Sequence, residues 1–457
     1  MNSLKKQILN KTNIIYAFIT LMMLSSIAII APITTKFNII ILAWGALYII
    51  HDFLKEKNFM KSRYSKYLIV YMILFLISVL INNNLNFILN MKTFGYVGLF
   101  LFVIYPYEKN HSDKIMQSEL YNINTIIITI SSIVGLASII TFIFLIKFTY
   151  NGIPQGFMYP NHPALWGFYS NPNSGGMVAA ISMIVTFFNL YLCSKLHIKK
   201  LGKVKKAYYY FNILLQWICL ILSNSRGVLF SLLAFVLFAS FYLATNVLKE
   251  KKRFSKFKSI IISLLLTIII LSTFNLAVSA SKLGLSYIPK FVQKLNSKKI
   301  EDNSDSLILE RDFEEGNITS GRVEIWTYGL ITLKLNPLFG HGPHNIGLAK
   351  QKIYPNNKAK YMTINNTHNG YIQILLSNGI LAFIAFMSFL ILIIKDSVIF
   401  LFSKNKNIFV FFIVGLLLSI AVYGIFENAI LLTGSYVTTI LWIYLSYLSN
   451  ILDNAKK

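Results

Sequence analysis

Arg226 lies in the pentapeptide Ser-Asn-Ser-Arg-Gly at 223–227, which is the whole connection between two long apolar segments. A connection this short places Arg226 at the N-terminus of the second helix, where the positive end of the helix dipole opposes its charge. A nearby anion makes such a placement tolerable, so the spacing favours an anion-binding arginine. The alternative is an interfacial anchor whose guanidinium reaches phosphate headgroups.

A second arginine, Arg322, opens a segment with helical periodicity. The apolar positions behind it recur at helical spacing and are Val323, Trp326, Leu330 and Leu333. This pattern predicts a short amphipathic helix with Ser320 as its cap and Arg322 in its first turn. The alternative for Arg322 is a surface contact with Glu324 or with lipid.

A candidate base, His368, lies in Asn-Asn-Thr-His-Asn-Gly-Tyr at 365–371, just before another apolar segment. Asn366 or Thr367 can cap the helix that follows, which places His368 in or next to its first turn. A helix N-terminus disfavours imidazolium, so the histidine is expected to stay neutral and to accept a proton near pH 7. The alternative is a histidine that only forms a hydrogen bond at a membrane interface.

Two further histidines, His341 and His344, belong to the run Gly-His-Gly-Pro-His at 340–344, which predicts a tight turn after a helix that ends at Asn336-Pro337. They are a poor metal pair, because the glycine and proline between them break a helix and no third ligand is near. We expect no metal and no cofactor.

The elements that must position these residues are apolar helices. Of the 457 residues, 55% are hydrophobic and 13% are charged, with a mean hydropathy of +0.60. This balance excludes an ordinary globular enzyme and a disordered chain, and predicts an all-α polytopic membrane protein with about twelve spans. The predicted spans are 13–31, 38–52, 66–81, 89–106, 121–147, 174–193, 207–223, 227–247, 259–280, 370–394, 408–424 and 429–449.

The placement of charge orients these spans and argues against nucleic acid, which the net charge of +26 would otherwise suggest. With both termini in the cytoplasm, the segments on that side carry 27 Lys and Arg. The short outer connections carry only Lys36, Lys92, Lys147 and Arg226. This contrast follows the positive-inside rule, so the basic clusters are expected to face membrane lipids.

The chain is predicted to form one integrated membrane domain in three stretches. Helices 1–9 occupy 1–280, an extracytoplasmic loop with short helices occupies 281–369, and helices 10–12 occupy 370–457. Long loops with internal structure are usually functional, so the second stretch is expected to cover a site. A shorter outer loop, 148–173, is rich in proline and in aromatic residues such as Trp166, which favours an ordered cap.

This topology gathers the candidates on one face of the membrane. Arg226, Arg322 and His368 are joined there by Asn173, at the outer end of the sixth span, and by Glu427, which is expected to pair with or orient an arginine. Two guanidinium groups beside a neutral imidazole suit a diphosphate and a hydroxyl to be deprotonated. At a membrane surface, these groups indicate a polyprenyl-diphosphate-linked sugar. Neighbouring candidates for substrate contact are Ser225, Asn369, Tyr371 and His341.

The motifs in this order resemble those of the O-antigen ligase and polysaccharide polymerase superfamily. The segments that carry the resemblance are Ser-Asn-Ser-Arg-Gly at 223–227, Gly321-Arg322 with Trp326, Asn336-Pro337, Gly-His-Gly at 340–342, Thr-His-Asn-Gly-Tyr at 367–371 and Leu-Leu-Ser-Asn-Gly-Ile at 375–380. The resemblance implies a metal-independent inverting glycosyltransferase of the cytoplasmic membrane. Arg226 and Arg322 would hold the lipid-linked diphosphate and His368 would activate the acceptor hydroxyl. His341 replaces the usual small or aliphatic residue, so it either contacts sugar or only shapes the turn.

Several functions stay open at this point. A polymerase joins lipid-linked repeats into capsule, exopolysaccharide or O-antigen, with a chain-length regulator as a conceivable partner. A ligase moves the finished glycan to lipid A core or protein. The richness in Lys, Asn and Ile is typical of AT-rich genomes and of hosts without lipid A, which favours the polymerase. A flippase for lipid-linked oligosaccharides would place arginines along several spans, whereas these spans are nearly free of charge; a sensor or export component would not need His368.

Overall fold

Helices form most of the chain in the computed structural model, which describes residues 9–83, 86–107, 112–160, 163–250, 256–295, 306–309, 321–403 and 408–455. The long helices are α1 (Lys11–Ser25), α2 (Ala31–His51), α3 (Ser65–Ile81), α4 (Phe87–Leu99), α5 (Asp113–Ile143), α6 (Pro172–Ser194), α7 (Lys203–Ser223), α8 (Arg226–Glu250) and α9 (Lys256–Ser286). Three short helices follow, α10 (Ile288–Leu295), α11 (Arg322–Ile331) and α12 (Ile346–Ile353). The chain ends with α13 (Gly370–Phe402), α14 (Ile408–Phe426) and α15 (Tyr436–Asn454).

Each of the twelve predicted apolar segments overlaps one of the long helices. Within the described residues, eight helices are long and apolar enough to cross a membrane, and α1 and α3 are shorter apolar helices. The expectation of a polytopic helical membrane protein is therefore confirmed. The helix α9 continues to Ser286, six residues beyond the predicted end of its stretch at 280.

Buried polar side chains join α5, α6 and α7. The Asn212 amide donates to the hydroxyls of Ser182 at 3.0 Å and Thr186 at 2.8 Å, and the Ser132 hydroxyl donates to Asn212 Oδ1 at 2.7 Å. In a membrane, helices gain little from hydrophobic association, because lipid is as apolar as their side chains. Hydrogen bonds of this kind therefore fix the relative positions of the helices that carry the site.

The loop between α5 and α6 contains a three-stranded antiparallel sheet, which the all-α prediction missed. Its strands are β1 (Lys147–Tyr150), β2 (Ile153–Met158) and β3 (Ala164–Gly167), in the order β1-β2-β3. The strands are short, and β2 contains Pro154 and Gly156, so the sequence lacks the apolar alternation that would have revealed them. Phe157 packs edge-on against Phe142 at 4.9 Å between ring centroids, which seats the sheet on α5.

The helix α13 is broken at Gly379, where φ is 78° and ψ is 177°. The loop at 337–342 fills the break. The backbone N–H groups of His341 and Gly342 donate to the carbonyls of Leu376 at 3.0 Å and Ser377 at 2.8 Å. On the other side of the break, Ile380 N–H donates to the Pro337 carbonyl at 2.9 Å. The backbone groups released by the break are thus satisfied by protein, as a membrane-embedded interruption requires.

Glycine is needed on both sides of this contact. A Cβ at Gly340 would lie 2.6 Å from Gly379 N, and a Cβ at Gly379 would lie 2.2 Å from the Leu338 carbonyl oxygen. The motifs at 340–342 and 375–380, which are distant in the sequence, therefore form one structural joint. This joint fixes the segment that follows α11 to the helix that follows His368.

We expect Gly379→Ala to lower the midpoint of thermal unfolding in detergent, with a loss of about 2 kcal/mol or more, because alanine adds a clash to an unfavourable positive φ. Gly284→Ala is the matched control, since a Cβ there meets no atom within 4 Å. Equal midpoints for the two variants would show that the joint does not require glycine.

Candidate functional site

A cavity of about 500 Å³ lies at one end of the helix bundle, where several helices begin or end. It is formed by the starts of α6, α8 and α11, by the segment before α13 and by the link after α14. The lining residues are Trp166, Pro172, Asn173, Asn224, Ser225, Arg226, Gly227, Gly321, Arg322, Ile325, Tyr361, Ile364, His368 and Glu427. The structure thus brings together Arg226, Arg322, His368, Asn173 and Glu427, with Ser225 beside them.

Glu427 is the centre of the polar contacts in this cavity. Its Oε1 accepts a hydrogen bond from the Asn173 amide at 2.7 Å and lies 3.3 Å from Arg322 Nη2. Its Oε2 lies 3.0 Å from His368 Nδ1. One carboxylate therefore holds three side chains from three separate segments, and charge-assisted hydrogen bonds of this type are stronger than neutral ones.

The environment keeps the Glu427 carboxyl ionised. Burial alone raises its pKa, but the contacts with His368, Asn173 and Arg322 outweigh burial and hold the pKa below its usual value of 4.5. Its side chain is 17% exposed, so solvent screens these contacts only in part. The carboxylate is available as a partner for imidazole and guanidinium throughout the neutral range.

His368 lies next to the first turn of the helix, as expected, and directly precedes its cap. The cap of α13 is Asn369, whose side chain accepts hydrogen bonds from the N–H groups of Tyr371 and Ile372, so the expectation of Asn366 or Thr367 as the cap is wrong. Instead, Asn366 Oδ1 accepts from His368 N–H at 3.0 Å, and His368 has φ of 49°. Asn and His are enriched among the few non-glycine residues that adopt this conformation.

The contact with Glu427 also selects a tautomer of His368. With Nδ1–H donating to the carboxylate, the neutral ring carries its lone pair on Nε2. That nitrogen can accept a proton, and the carboxylate stabilises the imidazolium that results. The sequence analysis relied on the dipole of the following helix to explain the state of His368. In the structure, Glu427 contacts the ring directly, orients it and places a negative charge beside it.

The residue before His368 is held in place by two hydrogen bonds of its backbone. Thr367 N–H donates to Gln373 Oε1 at 2.8 Å, and the Trp326 indole N–H donates to the Thr367 carbonyl at 2.8 Å. Trp326 belongs to α11, the helix that begins at Arg322. The same short helix therefore supplies an arginine to the cavity and fixes the backbone beside the histidine.

Arg322 begins α11 after Gly321, as the sequence predicted, whereas the predicted cap Ser320 lies outside the described residues. The predicted apolar face is only partly correct. The residues that α11 buries are Ile325 and Gly329, while Val323 and Leu330 are exposed. The buried stripe is thus displaced from the predicted one, and Gly329 in it lies against Leu376 of α13.

Arg226 is the first residue of α8, as expected from the short connection. Asn224, two residues earlier, adopts the left-handed conformation with φ of 51°. Its side-chain amide donates hydrogen bonds to the carbonyls of Pro163 at 3.0 Å and Leu309 at 2.9 Å. Asn224 thereby ties the turn to the end of the small sheet. Arg226 is exposed toward the cavity, which allows its guanidinium to meet a ligand.

Three candidates from the sequence do not line the cavity. His341 is buried, its Nε2 lies 3.0 Å from the Thr332 carbonyl, and burial lowers the pKa of the imidazole. Asn369 caps α13, and the Tyr371 hydroxyl donates to the Ala421 carbonyl at 3.0 Å. All three contact other parts of the protein and support the elements around the site.

Eight lining residues were not predicted as site residues, and four of them are Trp166, Asn224, Ile364 and Tyr361. The sequence contained a signal for Trp166, because this residue belongs to a loop rich in aromatic residues that was predicted at the same membrane face. The sequence also contained a signal for Asn224, because this residue belongs to the pentapeptide 223–227 that contains Arg226. Nothing in the sequence around Tyr361 and Ile364 distinguished them from other loop residues. Within the described residues, no group of three or more His, Cys, Asp or Glu is placed to hold a metal ion.

Residues 211–387 match the family model described as O-antigen ligase. The matched segment runs from α7 into α13 and contains Arg226, Arg322 and His368, so it confirms the resemblance found in the motifs. Asn173 and Glu427 lie outside the matched segment, and the tertiary structure brings them into the cavity lining. The comparison with curated proteins gives no match.

We expect Glu427→Gln to lower the midpoint of thermal unfolding, by an amount that corresponds to about 1 to 3 kcal/mol at neutral pH, because the amide cannot compensate Arg322. The folded-state pKa of Glu427 lies below 4.5, so the stability it contributes is present above that value and is lost as the pH falls through the folded-state pKa. The difference from wild type should therefore shrink in acid. Glu324→Gln, on the exposed side of α11, is the control. A difference in unfolding midpoint between Glu427→Gln and the wild type that grows in acid would contradict this account.

Proposed function

We propose that this protein, a member of the O-antigen ligase and polysaccharide polymerase superfamily through its residues 211–387, is a membrane glycosyltransferase that polymerises polyprenyl-diphosphate-linked oligosaccharide repeats. The product is a cell-surface polysaccharide, such as a capsule, exopolysaccharide or O-antigen. The observation that carries the proposal is the cavity in which Glu427 joins Arg322 to His368, with Arg226 in the same lining.

The two arginines suit the leaving group. Arg322 contacts Glu427 through Nη2 at 3.3 Å, and its planar fork has further N–H groups for phosphate oxygens. Arg226 supplies a second guanidinium at the start of α8, where the helix dipole also favours an anion. A diphosphate in the cavity would therefore meet two cations and one carboxylate, and the charge that develops on the leaving oxygen would be stabilised.

His368 suits the acceptor. In the proposed step, Nε2 takes the proton of an acceptor sugar hydroxyl while the oxygen forms a bond to the anomeric carbon of the donor. The bond between that carbon and the diphosphate oxygen breaks, and its electron pair leaves with the lipid diphosphate. Attack from the side opposite the leaving group inverts the anomeric configuration. Glu427 holds the imidazole and stabilises its protonated form through Nδ1.

The positions of the lysines and arginines support an extracytoplasmic site in the cytoplasmic membrane. In this topology, twelve helices cross the membrane, α1 to α9 and α13 to α15, and both termini face the cytoplasm. The cavity then opens at the outer surface, where the segment between α9 and α13 covers it. The lipid-linked donor and acceptor reach it from the outer leaflet.

A ligase that transfers a finished glycan to lipid A core or protein would use the same cavity chemistry. The composition favours the polymerase, because richness in Lys, Asn and Ile is typical of AT-rich genomes and of hosts without lipid A. A synthetic lipid-linked repeat given as both donor and acceptor separates the two functions. The polymerase yields a ladder of products with increasing numbers of repeats, whereas a ligase leaves this substrate unextended.

Replacement of the base should abolish most of the activity. We expect His368→Ala to reduce ladder formation by the purified protein about 10²- to 10⁴-fold, the range typical of a lost general base. His51→Ala, at the end of α2, serves as the control and should keep wild-type activity. A His368→Ala protein that forms the ladder at the wild-type rate would remove the base from the mechanism.

Conservative replacement of the arginines should also be damaging. We expect Arg226→Lys and Arg322→Lys each to lower activity by about tenfold or more, because lysine keeps the charge but loses the bidentate fork. Arg253→Lys, in the predicted cytoplasmic segment 248–258, is the matched control. Wild-type rates in both cavity variants would argue strongly against diphosphate binding by these residues.

A further inference from the structure

Two aromatic side chains in the cavity have no part in the chemistry proposed above. Trp166 comes from β3 of the small sheet, and Tyr361 comes from the segment that leads to His368. Both are half-buried. A cavity that combines a few polar groups with aromatic faces is typical of a site that binds a ligand with both polar and apolar surface.

The ring of Tyr361 packs against Tyr328, which in turn packs against a third tyrosine. It stacks on Tyr328 of α11, with 5.2 Å between ring centroids and 19° between ring planes. Tyr354, which follows α12, packs edge-on against Tyr328 at 5.1 Å and 89°. Aromatic pairs in these geometries gain energy beyond their buried area and hold the rings in defined orientations. Tyr361 is thus fixed before any ligand arrives.

The backbone of Tyr361 is fixed as well. The ammonium group of Lys350, in α12, donates to the carbonyls of Tyr361 and Ile364, the latter at 2.7 Å. Lys350 is only 1% exposed, and burial lowers its pKa to about 8. Burying a lysine is unfavourable unless its hydrogen bonds are made. This lysine makes them to the short stretch that carries Tyr361, Ile364 and His368, so the stretch is held at the cost of a buried charge.

Trp166 is anchored through the sheet and retains an unused polar group. Its neighbours Leu165 and Gly167 pair with Phe157 and Gly156 of β2. Within the described part of the chain, no protein group accepts a hydrogen bond from the indole N–H of Trp166. An indole with a free N–H can offer both an apolar face and a donor to a ligand in the cavity.

We propose that Trp166 and Tyr361 form a subsite for a pyranose ring of the acceptor oligosaccharide. One face of a pyranose is lined with C–H groups and packs on aromatic rings, while its hydroxyls take hydrogen bonds from polar neighbours such as the indole N–H. We assign the ring to the acceptor because Tyr361 lies on the same short stretch as His368, the proposed base, and lines the same cavity. This inference rests on the proposed function.

The direct test is binding of the lipid-free repeat oligosaccharide to the purified full-length protein, measured by calorimetry. We expect Tyr361→Ala to weaken binding about tenfold and Tyr361→Phe to keep it near wild type, because the ring and not the hydroxyl provides the surface. Tyr361→Leu keeps bulk without a ring and should also weaken binding, which covers a failure of the alanine variant to fold. Trp166→Leu is expected to act like Tyr361→Leu. Tyr287→Ala, at an exposed tyrosine next to α10, is the control.

Kinetics separate this inference from the function on which it rests. Tyr361→Leu should raise the KM for the acceptor about tenfold with kcat changed less than about threefold. His368→Ala should lose kcat and keep oligosaccharide binding. If the wild type elongates the lipid-linked repeat but both ring variants retain wild-type binding and KM, the subsite is refuted. If the wild type binds the oligosaccharide through these rings but never elongates it, the subsite stands and the proposed function fails.

Discussion

The site depends on one partly buried carboxylate. Glu427 accepts from Asn173 and contacts Arg322 and His368, so segments far apart in the sequence meet at a single charged group. A carboxylate removed from water is stable only when its partners compensate it, which makes the contacts mutually dependent. The same arrangement also prepares the proposed chemistry, because it fixes the tautomer of His368 and leaves further N–H groups of Arg322 for phosphate.

The broken helix α13 provides the frame for this carboxylate. The loop at 337–342 completes the hydrogen bonds that the break at Gly379 leaves open. Because that loop follows α11 and the break follows His368, the joint limits how far Arg322 and His368 can move apart. Irregular backbone at membrane depth persists only where protein satisfies it, so Gly340 and Gly379 have a structural role in this joint.

The cavity combines parts of different origin. The segment that matches the O-antigen ligase family supplies both arginines and the histidine. The small sheet before α6 supplies Trp166, and the link after α14 supplies Glu427. The cavity is therefore completed by residues outside the matched segment, Trp166 and Glu427, which join the arginines and the histidine only through the fold.

The sequence alone determined the helical membrane architecture and the positions of Arg226 and Arg322 at helix starts, because apolar length and helix-end signals are local properties. It also indicated that Glu427 would pair with a cavity arginine. Only the tertiary structure decided that Glu427 binds His368, that His341 packs away from the cavity and that Tyr361 lines it. Those outcomes depend on which loop meets which helix, and a side chain's partner across the fold leaves no pattern in its neighbouring residues.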